Sequence, residues 1–256
     1  MASAVLSVGR RRTTAERRRD REREIIRTTR QLFDERGSID AQIEDIARAV
    51  GINKALIYRH FAGKEELFAL TLVDYLTELD ERMSAADGSR RAPMTRLKAL
   101  TEVFVDFCLE YPAFADCAMS LLRRTGDELF GEITEPVMTK LGSAMATALD
   151  RIATILRAGQ RTDVFDTVDA DYLANHLYVQ TLGSMHMARM GLIVSGRADS
   201  PGGDPRTPAL RTKPGRPVVR HAEPGIVRST AITATLATAV GRRALRRTRK
   251  ISGDAS

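Results

Sequence analysis

The chain has 256 residues, 43% hydrophobic and 29% charged, with a formal net charge of +7 at pH 7, enough for a small head and a larger second domain. Its N-terminus carries charges where a signal peptide needs an apolar run, and no segment reaches the apolar length of a membrane span. Two cysteines without a CxxC pair, and four histidines at no metal-ligand spacing, lead us to expect a cytoplasmic protein with buried, reduced thiols, no metal and no cofactor.

Residues 1–24 hold eight arginines against four acids, and residues 242–250 hold six cations and no acid, which leaves −3 for the remainder. Residues 1–22 read as a basic arm. Either its arginines reach a phosphate backbone or minor groove, or they interleave with Glu16, Asp20, Glu22 and Glu24 as a salt-bridged helix start. Ile25, Thr29, Leu32 and Phe33 then form an amphipathic stripe that stops at Gly37. In the next short helix Ile43, Ile46, Ala47 and Val50 share a face, opposite Glu44, Asp45 and Arg48. Gly51 follows where a positive φ is needed, Ile52 plugs the corner, and Asn53 caps a further helix with Ile57 and Phe61 inward. Lys54, Ala55, Leu56, Tyr58 and His60 are left to face outward. After Gly63 another helix opens on Lys64, a cation that opposes the helix dipole unless an anion such as phosphate docks beside it.

Two short helices about a glycine turn occur in many all-α proteins. An exposed tyrosine and histidine on the second helix, with a lysine just beyond, suit insertion into a DNA major groove instead. The run Asp45-Ile46-Ala47, Gly51-Ile52-Asn53-Lys54, Ile57-Tyr58-Arg59-His60-Phe61 and Lys64-Glu65-Glu66-Leu67-Phe68 resembles the N-terminal domain of the tetracycline-repressor (TetR) family over residues 23–70. The resemblance implies that Lys54, Ala55 and Leu56 approach base edges while Tyr58, His60 and Lys64 bind phosphates. Ala41 and Gln42 stand where family members usually carry Thr or Ser. Gln42 is counted with the DNA-binding set, and Asp40 is left as the cap of the first short helix. Leu56, where a Thr is common, implies apolar readout such as a thymine methyl.

From Gly63 the fourth helix is expected to continue into the mid-80s as a connector. Pro93 precedes a helix with Leu97, Leu100, Phe104 and Phe107 on one face, and Tyr111-Pro112 starts another with Phe114, Cys117, Leu121 and Leu122. Two longer helices are predicted over about 134–156 and 169–193. No strand alternation persists, so the class is all-α: a three-helix DNA-binding domain, then a larger helical ligand-binding and dimerisation domain over 71–196. Residues 197–224, with six prolines, read as a linker or loop, and 225–256 as a helix near 226–245 plus a basic tail.

Small residues and methionines on the two long helices suit close packing, either as monomer core or, as the resemblance implies, as a four-helix dimer interface. The interface residues would be Leu141, Met145, Ala148, Ile152, Leu177, Gln180, Ser184 and Met187. The resemblance also implies a ligand pocket in the body. Phe104, Phe107, Met119, Leu122, Phe130, Tyr172, His176 and Tyr178 are its candidate lining, and for each of them helical core is the favoured alternative. No GxSxG elbow, phosphate loop or paired Cys/His unit is visible, so no enzymatic activity is expected. The expectation is a DNA-binding transcriptional regulator, a homodimeric repressor released from a palindromic operator by a small, mostly apolar effector, with no membrane partner. A nonspecific architectural protein using its basic ends is the alternative.

Overall fold

Thr13 and Glu16 begin the first helix, α1 (Thr14–Arg36), upstream of the apolar stripe. The Thr13 hydroxyl accepts the Glu16 N–H at 3.2 Å and the Glu16 carboxylate accepts the Thr13 N–H at 2.7 Å. Arg18–Glu22 (2.8 Å) and Arg21–Glu24 (2.7 Å) pair along the exposed surface. Residues 14–22 of the expected arm are therefore ion-paired helix, because acids recur three and four residues from the arginines. The computed structural model describes residues 13–37, 39–165 and 168–189, with positions 193–194, 219–220, 232–233, 235–236 and 238. Residues 1–12 of the arm and the basic tail at 242–250 lie outside these.

Gly37 closes α1 in the left-handed region, and α2 (Ile43–Val50), α3 (Lys54–His60) and α4 (Lys64–Ala86) follow. The cap of α2 corrects the sequence reading. Gln42, not Asp40, occupies the N-cap, and the Asp45 carboxylate accepts the Gln42 N–H at 3.4 Å. The Asp40 carbonyl instead accepts a bond from Arg36 at 3.0 Å. Gly51 has φ +76°, and the Gly51 and Ile52 N–H groups return to the Arg48 and Ala47 carbonyls at 3.2 and 2.9 Å. A side chain there would be strained, which is why the turn needs glycine. The Asn53 side chain accepts the Leu56 N–H at 2.8 Å and fixes where α3 begins. Ile25, Phe33, Ile43, Ile46, Ile57 and Phe61 form the core of this three-helix head, and Leu67 and Phe68 of α4 close it. Phe33 and Phe68 meet edge to face at 4.8 Å.

The long α4 buries Leu72, Tyr75, Leu76, Leu79 and Met83 in the body and packs most extensively on α8 (Glu135–Arg161). Prolines open α5 (Pro93–Glu110) and α6 (Pro112–Leu122), as expected. A short α7 (Gly126–Glu132) was not foreseen; Thr125 and Glu128 cap it reciprocally and none of its residues is buried. Helix α8 runs past 156 to Arg161. Gly159 near its end lets the buried Phe165 ring lie against the backbone, where a β-carbon would overlap ring carbons Cδ2 and Cε2. Helix α9 spans Ala170–Arg189. The class is all-α, with a single two-residue antiparallel pairing of β1 (Ile193–Val194) and β2 (Val219–Arg220) among the described residues. The described positions between 232 and 238 are helical, within the C-terminal helix expected from the sequence.

Several polar ties join head to body. Arg30 of α1 bonds Asp74 at 2.8 Å and pairs with Glu78, both on α4, with its guanidinium 4.2 Å from the Tyr75 ring centre and 5.0 Å from that of Tyr111. The Tyr75 hydroxyl donates to Asp34 at 2.5 Å. Buried Glu66 accepts the Ala62 N–H, just after α3, and the Thr134 hydroxyl at the start of α8. Arg189 at the end of α9 bonds Asp116 at 2.7 Å, the Pro112 carbonyl at 3.1 Å and the Gly37 carbonyl.

Candidate functional site

Buried Ile57 and Phe61 anchor α3 on the head core, and this fixes which side chains point away. Lys54, Ala55, Tyr58 and Arg59 are exposed, Tyr58 to 46%. Leu56 is half-buried on the flank. His60 departs from the outward placement: its side chain is only 12% exposed, with Nδ1 3.4 Å from the Glu22 carboxylate on α1. Three residues after Ile57 it sits at the edge of the inward face, where the long α1 meets it. Burial pushes the Glu22 carboxyl up, but Arg18 and His60 together hold it below its ordinary value.

The Lys54 ammonium is paired with Glu44 of α2 and lies 5.9 Å from the Tyr58 ring centre. Each partner shifts the other toward its charged form, Lys54 upward and Glu44 downward. Arg59, to which the sequence reading gave no role, follows Tyr58 and lies four residues after Ala55 on the most exposed side. Its signal was that spacing. Gln42 is exposed at the start of α2, and half-buried Lys64 sits over the Phe68 ring at 5.0 Å. Lys64 also lines a cleft of about 160 Å³ with Glu65 and with Ser120 and Arg124 of the body. The surface thus gathers a short helix with a cation, a phenol and a guanidinium outward, flanked by two helix N-termini, which suits a phosphate backbone and groove edges.

The body holds two adjoining apolar voids of about 20 and 10 Å³ between α4, α5, α8 and α9, each room for about one water. Phe104 and Tyr178 line both. The other pocket candidates lie elsewhere. Phe107 belongs to an aromatic cluster with Tyr75, Tyr111 and Phe114, and Met119 packs against the core from α6. Leu122 at the end of α6, Phe130 on α7 and Tyr172 on α9 are exposed to 47, 66 and 67%, Tyr172 beside exposed His176. Missed lining residues include Met83, Leu100, Thr101 and Thr181; being aliphatic or threonine, they carried no local signal.

The expected interface residues also land differently. Leu141, Ala148 and Leu177 are buried within the chain, and Met145 and Ile152 line the voids, because the apolar faces of α8 and α9 meet α4 and α5. The Gln180 side chain accepts the Thr238 hydroxyl at 3.1 Å, and half-buried Ser184 donates to the Gln180 carbonyl at 2.8 Å. Of that set only Met187 is exposed, and it shares the outer face of α9 with Tyr172, His176 and Val179. Cys108 and Cys117 are buried, and burial drives both thiols well above their ordinary value. Among the described residues no group of His, Cys, Asp and Glu could hold a metal ion, and no helix is long and apolar enough to cross a membrane.

Residues 25–70 match the family described as bacterial regulatory proteins, tetR family. The HTH-type transcriptional regulator BetI of Brucella anthropi is 34% identical over 83 residues, which cover 32% of this chain and 43% of BetI. The HTH-type transcriptional activator FasR of Mycolicibacterium smegmatis is 29% identical over 90 residues, 35% of this chain and 41% of FasR. The chain thus spans less than half the length of these curated relatives. Among solved structures, the TetR family regulator PfmR of Thermus thermophilus covers 90% of this chain and 98% of its own at TM-score 0.53 and 19% identity. RolR in complex with resorcinol aligns over 91% of this chain and 94% of its own at TM-score 0.59 and 15% identity. The ketosteroid regulator KstR2 of Mycobacterium tuberculosis aligns over 86 and 95% at TM-score 0.52 and 19% identity. Residues 25–70 are thus similar to the tetR-family head, and over most of its length the chain shares the fold of PfmR and RolR.

Proposed function

We propose that this chain is a sequence-specific transcriptional regulator, acting as a homodimeric repressor that leaves a palindromic operator when a small, mostly apolar effector enters its body. The observation that carries this is the outward set Lys54, Ala55, Tyr58 and Arg59 on a helix held from behind by Ile57 and Phe61. Lys54, Ala55 and Leu56 read base edges, and Gln42, Tyr58, Arg59 and Lys64 hold phosphates, with His60 reaching its phosphate from beside Glu22. Two copies place two such helices in successive major grooves about 34 Å apart. The exposed faces of α8 and α9, including Tyr172, Val179 and Met187, supply the dimer contact.

The effector acts by population shift, binding better to a body conformation whose heads no longer fit neighbouring grooves. Helix α4 runs from the head core to the voids and carries the coupling. Selection of bound fragments from sheared chromosomal DNA, followed by gel shift, tests the reading. A two-fold symmetric sequence should be enriched, and Lys54→Ala should relax base preference while Lys64→Ala weakens all duplexes alike. Equal binding of random duplexes with a steep salt slope, unchanged by Tyr58→Ala, would overturn it in favour of a nonspecific coating protein.

A further inference from the structure

We propose that Arg189 is a positioning residue that holds the three-helix head against the body, and that His186 tightens this hold when it takes up a proton. The consequence for duplex binding rests on the regulator reading above; the joint itself does not. Arg189 ends α9, and its guanidinium reaches three acceptors: the Asp116 carboxylate at 2.7 Å and the Pro112 carbonyl at 3.1 Å on α6, and the Gly37 carbonyl. Gly37 closes α1, so its carbonyl lies at the negative end of the α1 dipole, where a cation is favoured. Helix α1 packs on α2, α3 and α4, so fixing its end fixes the head. The ties of Arg30, Tyr75 and Glu66 all involve α4. This one comes from α9, the helix whose outer face is given the dimer contact.

His186 stands one turn before Arg189. Its Nδ1 is buried and makes no hydrogen bond, the one such side-chain atom among the described residues. Asp116 Oδ1 lies 3.8 Å away, beyond hydrogen-bond reach, while Oδ2 holds Arg189. A proton from solvent, which the 21% exposed side chain meets, puts N–H on both ring nitrogens and a charge beside the carboxylate. An approach of about 1 Å then completes a charge-assisted bond. Asp116 is held at both oxygens, one cation on each, and no longer swings away from Arg189. The surrounding groups do not take this part. Asp34, on the last turn of α1, is engaged by Tyr75 and Arg30. Cys117, next to Asp116 on α6, has its thiol pushed up by burial and stays neutral. Helices α5 and α8, also packed on α9, bring no acid within 4.0 Å of His186 among the described residues.

The test uses the full chain labelled with carbon-13 at the glycine carbonyls, and the two-fold symmetric duplex recovered by fragment selection. The Gly37 carbonyl signal should move upfield in Arg189→Met, which removes its donor. In the wild type it should move downfield from about pH 8 to about pH 6, and His186→Gln should abolish that movement. By fluorescence anisotropy, duplex affinity should rise over the same range about five-fold more in the wild type than in His186→Gln, a difference that cancels any charge change at His60. Arg189→Met should bind about ten-fold more weakly than the wild type. Arg189→Lys, which keeps the Asp116 pair but cannot span three acceptors, should fall between them. A Gly37 signal unchanged in Arg189→Met, or a pH response retained in His186→Gln, would overturn the proposal. So would a Gly37 response with no matching change in affinity. If the wild type binds no duplex at all while Gly37 responds as expected, the regulator reading falls and the joint stands.

Discussion

Replacing Glu66 by alanine should loosen the joint between α3 and the body. Its carboxylate, 5% exposed, accepts both the Ala62 N–H and the Thr134 hydroxyl. A hydrogen bond to a charged acceptor contributes about 1.5–3 kcal/mol, so two would sum to roughly 3–6 kcal/mol. Two effects lower that figure. Ala62 and Thr134 are exposed and regain water once the carboxylate is gone, and deleting a buried charge also removes its desolvation cost. The expected loss is about 2 kcal/mol in urea unfolding followed by far-ultraviolet circular dichroism. Thr134→Val, which removes only the body-side bond, should cost about 1 kcal/mol. Because both changes strike one acceptor, the double variant should be no worse than Glu66→Ala alone. Strict additivity, or a loss under about 0.5 kcal/mol for Glu66→Ala, would refute the shared-acceptor argument.

At Gly159, alanine raises helix propensity by about 1 kcal/mol but collides with buried Phe165, so Gly159→Ala should melt lower, with a net loss of about 1–2 kcal/mol. Arg59→Ala should weaken binding to every duplex and reduce the slope of log affinity against log salt by about 1, measured by fluorescence anisotropy over a salt series. Arg82, paired with Glu110 at 2.5 Å and Glu78 at 2.6 Å, holds the Glu110 carboxyl down at about 2. A folded-state value below the unfolded one stabilises above about pH 4.5 and is lost as pH falls toward about 2. Arg82→Met should therefore cost stability near neutral pH and progressively less through that window, as melting at stepped pH would record. Buried Cys108 and Cys117 should resist iodoacetamide in the native protein and react once urea unfolds it, as read by mass spectrometry.

The head was largely legible because its determinants are local. Gly51 takes the left-handed φ its position demanded, Asn53 caps α3 through the Leu56 N–H, and Ile57 and Phe61 point inward. His60 was misplaced because its partner, Glu22, comes from a helix 38 residues earlier, beyond any window of periodicity. Helix α7 turns only half-buried Leu129 to the core, too little for hydrophobic spacing to find it; Thr125 and Glu128, three apart, announced its start. In the body, periodicity showed that α8 and α9 have apolar faces but not which surfaces those faces meet. Leu141 and Leu177 belong to the chain's own core for that reason. The voids arise where Met83, Thr101, Ile152 and Tyr178 converge from four helices, and their existence depends on packing alone.

The Glu44 carboxylate gives Lys54 an incumbent partner before any duplex arrives. A phosphate or base edge that captures this ammonium only exchanges one salt link for another, so a random encounter gains little from it. Net gain requires a site that also accommodates Ala55 and Tyr58 in the same pose. On the proposed DNA-binding reading, one acid on α2 would thereby convert the leading cation of α3 from a general adhesive for nucleic acid into a proofreader of fit.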